Sequence, residues 1–295
     1  MSGRATFAAV LLVACAACAP IPLARESAFH PSDAALGVTR VVHGTVVLEV
    51  DGTRLLVDPW FHSGFFTRQG EPLGLTPGTL PQLAAVLVTG DAPDHFDTRA
   101  LGDLAATVPR AIAPPALRER LLGLGFKDVT ALAWWEPTTV DGLTVTAVPS
   151  GSGPNANGYV VVAREARAYV AGPTTAFPGL VDIAVAFPRL DVALLPIGGR
   201  RVFGLLHEMT PEQAADAAKT LDAARVIPSD YGARSRSPLT WYGGDALDRF
   251  RAAMAAKGLA ERVLVLETGE SWHYARGSSE DAAGPPDKQA APAGR

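Results

Sequence analysis

Twice along the chain, a run of strand-like segments gives way to strand and helix in alternation. That doubled order is what most limits the fold. In the first half, residues 39–42, 45–50 and 53–57 are β-branched and apolar. Asp51-Gly52 between the last two is a hairpin signal, because its turn needs positive φ. The third run stops at Asp58-Pro59, where proline cannot continue a ladder. After a Gly/Pro-rich excursion over 70–81 comes an apolar run, 84–88, and then helix 98–105, strand 111–113, helix 115–122 and strand 129–132. The second half offers strands at 143–148, 158–162, 168–171 and 191–197. Thr210-Pro211-Glu212-Gln213 opens a helix running to about 222, with Thr as cap, Pro at the first helical position and Gln completing a capping box. A strand at 225–228, a helix at 245–257 and a last strand at 263–266 follow. Two sheets packed on each other with helices outside, an α/β domain over 36–275, is the arrangement this order predicts.

The ends read differently. Arg4 and the apolar stretch 5–13 form a leader too short to cross a bilayer. Leu12-Val13-Ala14-Cys15 resembles a bacterial lipobox, with Cys18 as the other acceptor. An ordinary secretory signal is the competing reading. The expected organisation is a lipoprotein signal peptide over 1–14, a lipidated Cys15 with linker over 15–35, and a disordered Gly/Ser/Pro-rich tail over 276–295. The expected location is the cell envelope, at its periplasmic side or outer membrane, with the membrane reached through the lipid. Both cysteines lie in the leader, so the folded domain has no disulfide, thiolate ligand or cysteine nucleophile. A net charge of -4 and a pI near 5.9 leave no basic footprint for nucleic acid.

The apolar run 84–88 ends abruptly in Thr89-Gly90-Asp91-Ala92-Pro93-Asp94-His95-Phe96-Asp97. Strand ends carrying ionisable groups are where α/β folds place chemistry. Asp94 and His95 are the candidates here. Helix capping by the Asp and hydrogen bonding of the His in a polar pocket are the structural alternatives.

Read in order, His43-Gly44-Thr45, Leu56-Val57-Asp58-Pro59-Trp60, the 86–97 stretch, Trp134-Trp135-Glu136, Val148-Pro149, Ala171-Gly172, Pro196-Ile197-Gly198-Gly199 and Met209-Thr210-Pro211 resemble the metallo-β-lactamase fold. The resemblance is to the branch with ascorbate-phosphate lactonases and N-acyl-phosphatidylethanolamine phospholipase D-like enzymes, over about 37–270. It implies a four-layer αββα sandwich and two metal ions held by a His-x-His-x-Asp-His turn, a downstream His, a bridging Asp and a final His. Such ions acidify a bound water and clamp the reacting oxygens.

Most of those ligand positions are altered. Gly90 and Ala92 stand where the first two histidines belong, the Ser150-Gly151 loop replaces the third, Pro173 replaces the bridging Asp, and Asp230 follows the strand that should precede the last His. The resemblance leaves Asp94 and His95, with Asp230 as an oxygen substitute. It implies His43 as a buried group behind the ligands and Asp58 as an acceptor supporting the metal turn. His207 enters as a pocket residue or a loop histidine.

Two functions follow. In one, hydrolysis is weak or lost, no ion is held tightly, and the cleft binds a small or lipid-like molecule. In the other, one zinc or manganese ion on Asp94, His95 and Asp230 hydrolyses a phosphoester, lactone or amide-like bond, Asp94 being the catalytic residue. Phe61, Phe65, Phe66 and Trp241 in the loops suit an apolar ligand, or pack on the core.

Overall fold

The computed structural model describes residues 29, 31, 32, 34–164 and 166–274. The leader, Cys15, Cys18, most of the linker and the tail lie outside the described residues. The chain opens with β1 (Leu36–Val42), β2 (Thr45–Val50) and β3 (Thr53–Val57), an antiparallel meander whose second turn is Asp51-Gly52, both at positive φ. A short β4 (Thr67–Gln69) leads to β5 (Ala85–Leu87), α1 (Thr98–Leu104), β6 (Arg110–Ala113), α2 (Arg118–Gly123) and β7 (Asp128–Ala131). Then come β8 (Pro137–Val140), β9 (Leu143–Val148), β10 (Gly158–Ala163), β11 (Ala166–Val170), α3 (Leu180–Ala186) and β12 (Val192–Pro196). Two short strands, β13 (Arg201–Val202) and β14 (Leu205–Leu206), precede α4 (Pro211–Leu221), β15 (Arg225–Ser229), β16 (Ala233–Ser235), β17 (Thr240–Trp241), α5 (Ala246–Ala256) and β18 (Ser271–Tyr274).

Two mixed sheets result. One is ordered β18-β1-β2-β3-β5-β6-β7, the other β15-β12-β11-β10-β9-β8. Their strands are buried on both faces, so residues alternate between two cores rather than between core and solvent. Val46, Leu48, Leu55, Val57 and Leu87 face the second sheet, while Val47, Leu56, Val86 and Val88 face the α1 and α2 side. Across the interface Val161, Val192 and Leu194 point inward, and Val160, Ala193 and Leu195 pack under α3, α4 and α5. The layers are therefore helix, sheet, sheet, helix. Truncating a side chain of the central layer, such as Leu48 or Leu194, costs about 2–5 kcal/mol by transfer and cavity terms.

Helix starts follow the sequence. Asp97 caps α1, its Oδ1 accepting from the Arg99 and Ala100 amides, and Thr210 with Gln213 forms the capping box of α4. The strand expected over 263–266 is not formed. That segment makes one parallel bridge, Val226 with Val263, while it passes from the second sheet to the first, where β18 pairs with β1. Helix α3 and strands β4, β8, β13, β14, β16, β17 and β18 were not predicted: the strands are too short to carry a periodic signal, and α3, no shorter than α1, starts at Gly179 without a side-chain cap.

Candidate metal centre

Three of the site's side chains leave the ends of strands at non-glycine residues in the left-handed region. His43 (φ 52°) follows β1, Asp58 (φ 43°) follows β3 and Asp230 (φ 61°) follows β15. Such conformations cost free energy and persist where the surroundings over-determine them. Here they do: the His43 amide donates to Glu71 Oε1 (2.8 Å), which Arg40 also holds at 2.6 Å, the Asp58 amide donates to the Leu87 carbonyl (2.9 Å), and the Asp230 amide donates to the His43 carbonyl (3.4 Å). Asp94 and His95 arrive on the turn between β5 and α1.

The five side chains meet in a closed pocket, and all five are buried. Asp58 accepts from the Thr89 amide (2.7 Å) and hydroxyl, and its Oδ2 lies 2.8 Å from His95 Nδ1. That contact turns His95 Nε2 into the site, 3.9 Å from Asp230 Oδ1. His43 Nε2 stands 3.4 Å from Asp94 Oδ2 and 3.9 Å from Asp230 Oδ1, with the His43 ring edge-on to Trp60 at 5.2 Å. Gly44 makes room: a Cβ there would collide with Asp230 Oδ1 and sit 3.3 Å from His95 Cε1.

The sequence did not single out three more members. Tyr242 donates to Asp94 Oδ2 (2.7 Å), and Arg200 donates from Nε to Glu208 Oε1 (2.6 Å). Glu208 is buried and takes the pocket position considered for His207. His207 lies exposed on the hairpin, so its assignment as a pocket residue is corrected. The physical reason is that consecutive residues there point to opposite sides, and Arg200 draws the carboxylate inward. An arginine and a glutamate on either side of a short apolar hairpin were the available signal.

The charges act on one another. Burial by itself would raise the Asp94 carboxyl, but the charges of Arg200, of His95 and of the His43 imidazole beside it hold it well below the usual carboxylate range. Burial disfavours the His95 imidazolium, yet Asp230, Asp58 and Asp94 push it up to about 10. Glu208 is raised, first by burial and further by Asp230 and Asp94, against the pull of Arg200. Arg200 is strengthened as a cation by Glu208 and Asp94, which outweigh its burial.

Several buried atoms in this pocket have no hydrogen-bond partner: both His43 ring nitrogens, Asp94 Oδ1, His95 Nε2, Glu208 Oε2 and both Asp230 carboxylate oxygens. Leaving such groups unpaired costs about 1–3 kcal/mol each. His43, Asp94 and His95 offer ligand atoms all within 4.8 Å of one another, and Asp230 adjoins them. Two imidazole nitrogens and one carboxylate, with Asp230 Oδ1 3.9 Å from each imidazole, suit a divalent ion. They do not suit two. At the other site the Gly90 Cβ position would lie 3.4 Å from Pro173 Cγ and 3.8 Å from Ala156, so the altered positions pack on one another without a donor. The neighbouring Gly151 amide donates to Thr174 Oγ1 (2.7 Å), and Ser152 Oγ donates to the Pro173 carbonyl (2.5 Å), so this loop satisfies itself.

Comparison with known proteins gives the family of this fold. The family model described as the Beta-lactamase superfamily domain matches residues 53–231. A UPF0173 metal-dependent hydrolase of Methanopyrus kandleri is 28% identical over 251 residues, covering 80% of this chain and 98% of the relative. A protein of Mycobacterium tuberculosis is 29% identical over 257 residues, 80% of this chain and 68% of the relative. Among solved structures, the metallo hydrolase Igni18 of Ignicoccus hospitalis superposes with a TM-score of 0.65 at 25% identity, covering 81% of this chain and 98% of that one.

Proposed function

Because the chain belongs to the metallo-β-lactamase superfamily of metal-dependent hydrolases, we propose that it is a single-ion member. In this reading two-metal hydrolysis is weak or lost, and a lipid on Cys15 holds the protein at the cell envelope. The supporting observation is the asymmetry of the two ligand sets. His43, Asp94, His95 and Asp230 present unpartnered donor atoms, while Gly90, Ala92 and Pro173 present none. An ion held there supplies Lewis-acid character and acidifies a bound water. The chain's own residues do the rest: Asp58 orients His95, Tyr242 and Arg200 compensate Asp94, and Gly44 admits Asp230. Their burial leaves little room for a substrate to reach the ion, which supports reduced turnover and a binding role for the surrounding rim.

A second reading, an active single-ion hydrolase of phosphoester, lactone or amide-like bonds, is favoured by the phenol of Tyr242 and the guanidinium of Arg200. Both stand beside Asp94 and could stabilise an oxyanion. The test begins with elemental analysis of protein purified without chelator. About one equivalent of zinc or manganese is expected, and either two equivalents or only traces would overturn the single-ion reading. Assays with bis-p-nitrophenyl phosphate and a lactone panel, run beside Asp94→Asn, then separate the two functions. Turnover that disappears in the variant establishes the hydrolase.

A further inference from the structure

Next to the buried centre lies a surface of opposite character. Phe65, Phe66, Phe203, Leu205, Leu239 and Trp241 are all exposed, Phe65 at 82% and Phe203 at 73%. They come from three segments, 60–70, 199–207 and 231–244, that the strand connections join. β16 pairs with β4, the Arg236 amide donates to the Phe66 carbonyl (2.7 Å), β17 pairs with β13, and the Phe203 amide donates to the Leu239 carbonyl (2.8 Å). The apolar side chains therefore form one rim rather than scattered exposures, and an exposed apolar cluster of this kind marks an interaction surface.

Its charge says with what. The chain has 30 acidic residues against 26 basic ones, yet these three segments contain no Asp or Glu. They carry Arg68, Arg201, Arg234 and Arg236 at the surface, for which no ion pair is recorded among the described residues. Arg201 stands directly opposite Trp241 in the β13–β17 pair, and Arg234 opposite Arg68 in the β4–β16 pair. Aromatic side chains that protrude among arginines match the level where apolar acyl chains meet anionic headgroups. A second copy of the chain fits less well, since an isologous contact would set the same unpaired arginines against each other.

We propose that this rim docks on an anionic bilayer, with Phe203 and Trp241 entering the interface and the four arginines meeting lipid headgroups. The inference does not depend on the ion site or on the acyl anchor. To separate it from the leader, the full chain carrying Cys15→Ser and Cys18→Ser is mixed with vesicles of phosphatidylglycerol and dibrominated phosphatidylcholine, and tryptophan quenching is followed. Quenching that grows with the phosphatidylglycerol fraction and is largely lost in Trp241→Phe is expected. Phe66→Ser with Phe203→Ser should weaken partitioning by about a hundredfold or more, the consequence of removing two phenylalanine side chains from an apolar interface. Arg201→Glu with Arg236→Glu should remove the dependence on phosphatidylglycerol at an unchanged melting temperature.

Three results would overturn the proposal: no association with vesicles, quenching undiminished in Trp241→Phe, or a vesicle-free dimer that Phe203→Ser dissociates. Metal content measured on the same variants stays at the unaltered protein's value in every case, so the outcome is independent of the single-ion reading.

Discussion

Tyr242 Oη donates a 2.7 Å hydrogen bond to Asp94 Oδ2 across a sequence separation of 148 residues. This bond ties the turn after β5 to the segment after β17, and through it the buried carboxylate is joined to the exposed rim. Replacing Tyr242 with Phe removes the donor and leaves a buried carboxylate oxygen short of a partner. The expected loss is about 1–3 kcal/mol in urea unfolding of ion-free protein. It should be smaller with the ion bound, because Asp94 is then compensated. An equal loss in both states would show that Tyr242 acts only by packing.

Gly44 is expected to be intolerant of a methyl group. Its φ is not in the left-handed region, so the penalty in Gly44→Ala is a collision with Asp230 Oδ1 and not backbone strain. Overpacking of this kind costs about 1–3 kcal/mol. Displacement of Asp230 should also weaken zinc or manganese uptake measured by calorimetry. Gly52→Ala serves as the control. Nothing lies within 4 Å of its Cβ position, and it should lose stability through its positive φ while binding the ion normally.

Arg200 and Glu208 should behave as a coupled pair. Arg200→Met strands Glu208 and removes the main charge compensation of Asp94, at about 3–5 kcal/mol. The double variant Arg200→Met with Glu208→Leu should recover part of that loss, because Glu208 is no longer stranded while Asp94 still lacks the guanidinium's charge. Thermal melts of the two single variants and the double variant give the coupling directly.

Stability of the ion-free protein should depend on pH in a defined direction. His95 titrates higher in the folded chain than its ordinary value, about 10 against 6.5. Its contribution is therefore complete below about 6.5 and lost as pH rises toward 10. Asp94 is lowered, so its contribution is present above about 3.9 and fades as pH falls below that. The melting temperature should peak between these limits. Ion uptake requires His95 to release its proton, so affinity should increase with pH over the range where melting of the ion-free protein declines. Melting curves with and without zinc from pH 4 to 10 would show the two trends crossing; parallel curves would contradict them.

Much of the fold was legible. The β-branched runs, Asp51-Gly52, the 97–104 cap and helix, and the Thr210 capping box each form as their local chemistry dictates, and burial on both sheet faces explains why the runs are apolar throughout. The strand expected over 263–266 failed because its pattern serves a crossing between sheets. Within the site, Asp94 and His95 cluster with His43, Asp230 Oδ1 lies 3.9 Å from His95 Nε2, and Asp58 hydrogen-bonds to His95. Legible only in three dimensions were the approach of His43 to Asp94 and Asp230, and the roles of Arg200, Glu208 and Tyr242. Those residues come from separate strand ends and one hairpin, and no spacing along the chain encodes their meeting.

The left-handed strand ends have a consequence for how such a protein can change over time. The amides of His43, Asp58 and Asp230 donate to Glu71 Oε1, the Leu87 carbonyl and the His43 carbonyl, so the turns that shape the site are also turns where the chain is fastened. A substitution that relaxes one of these turns therefore loosens the site and its scaffold together, whereas Asp94 and His95, on the turn between β5 and α1, can be exchanged at the side chain without touching those bonds.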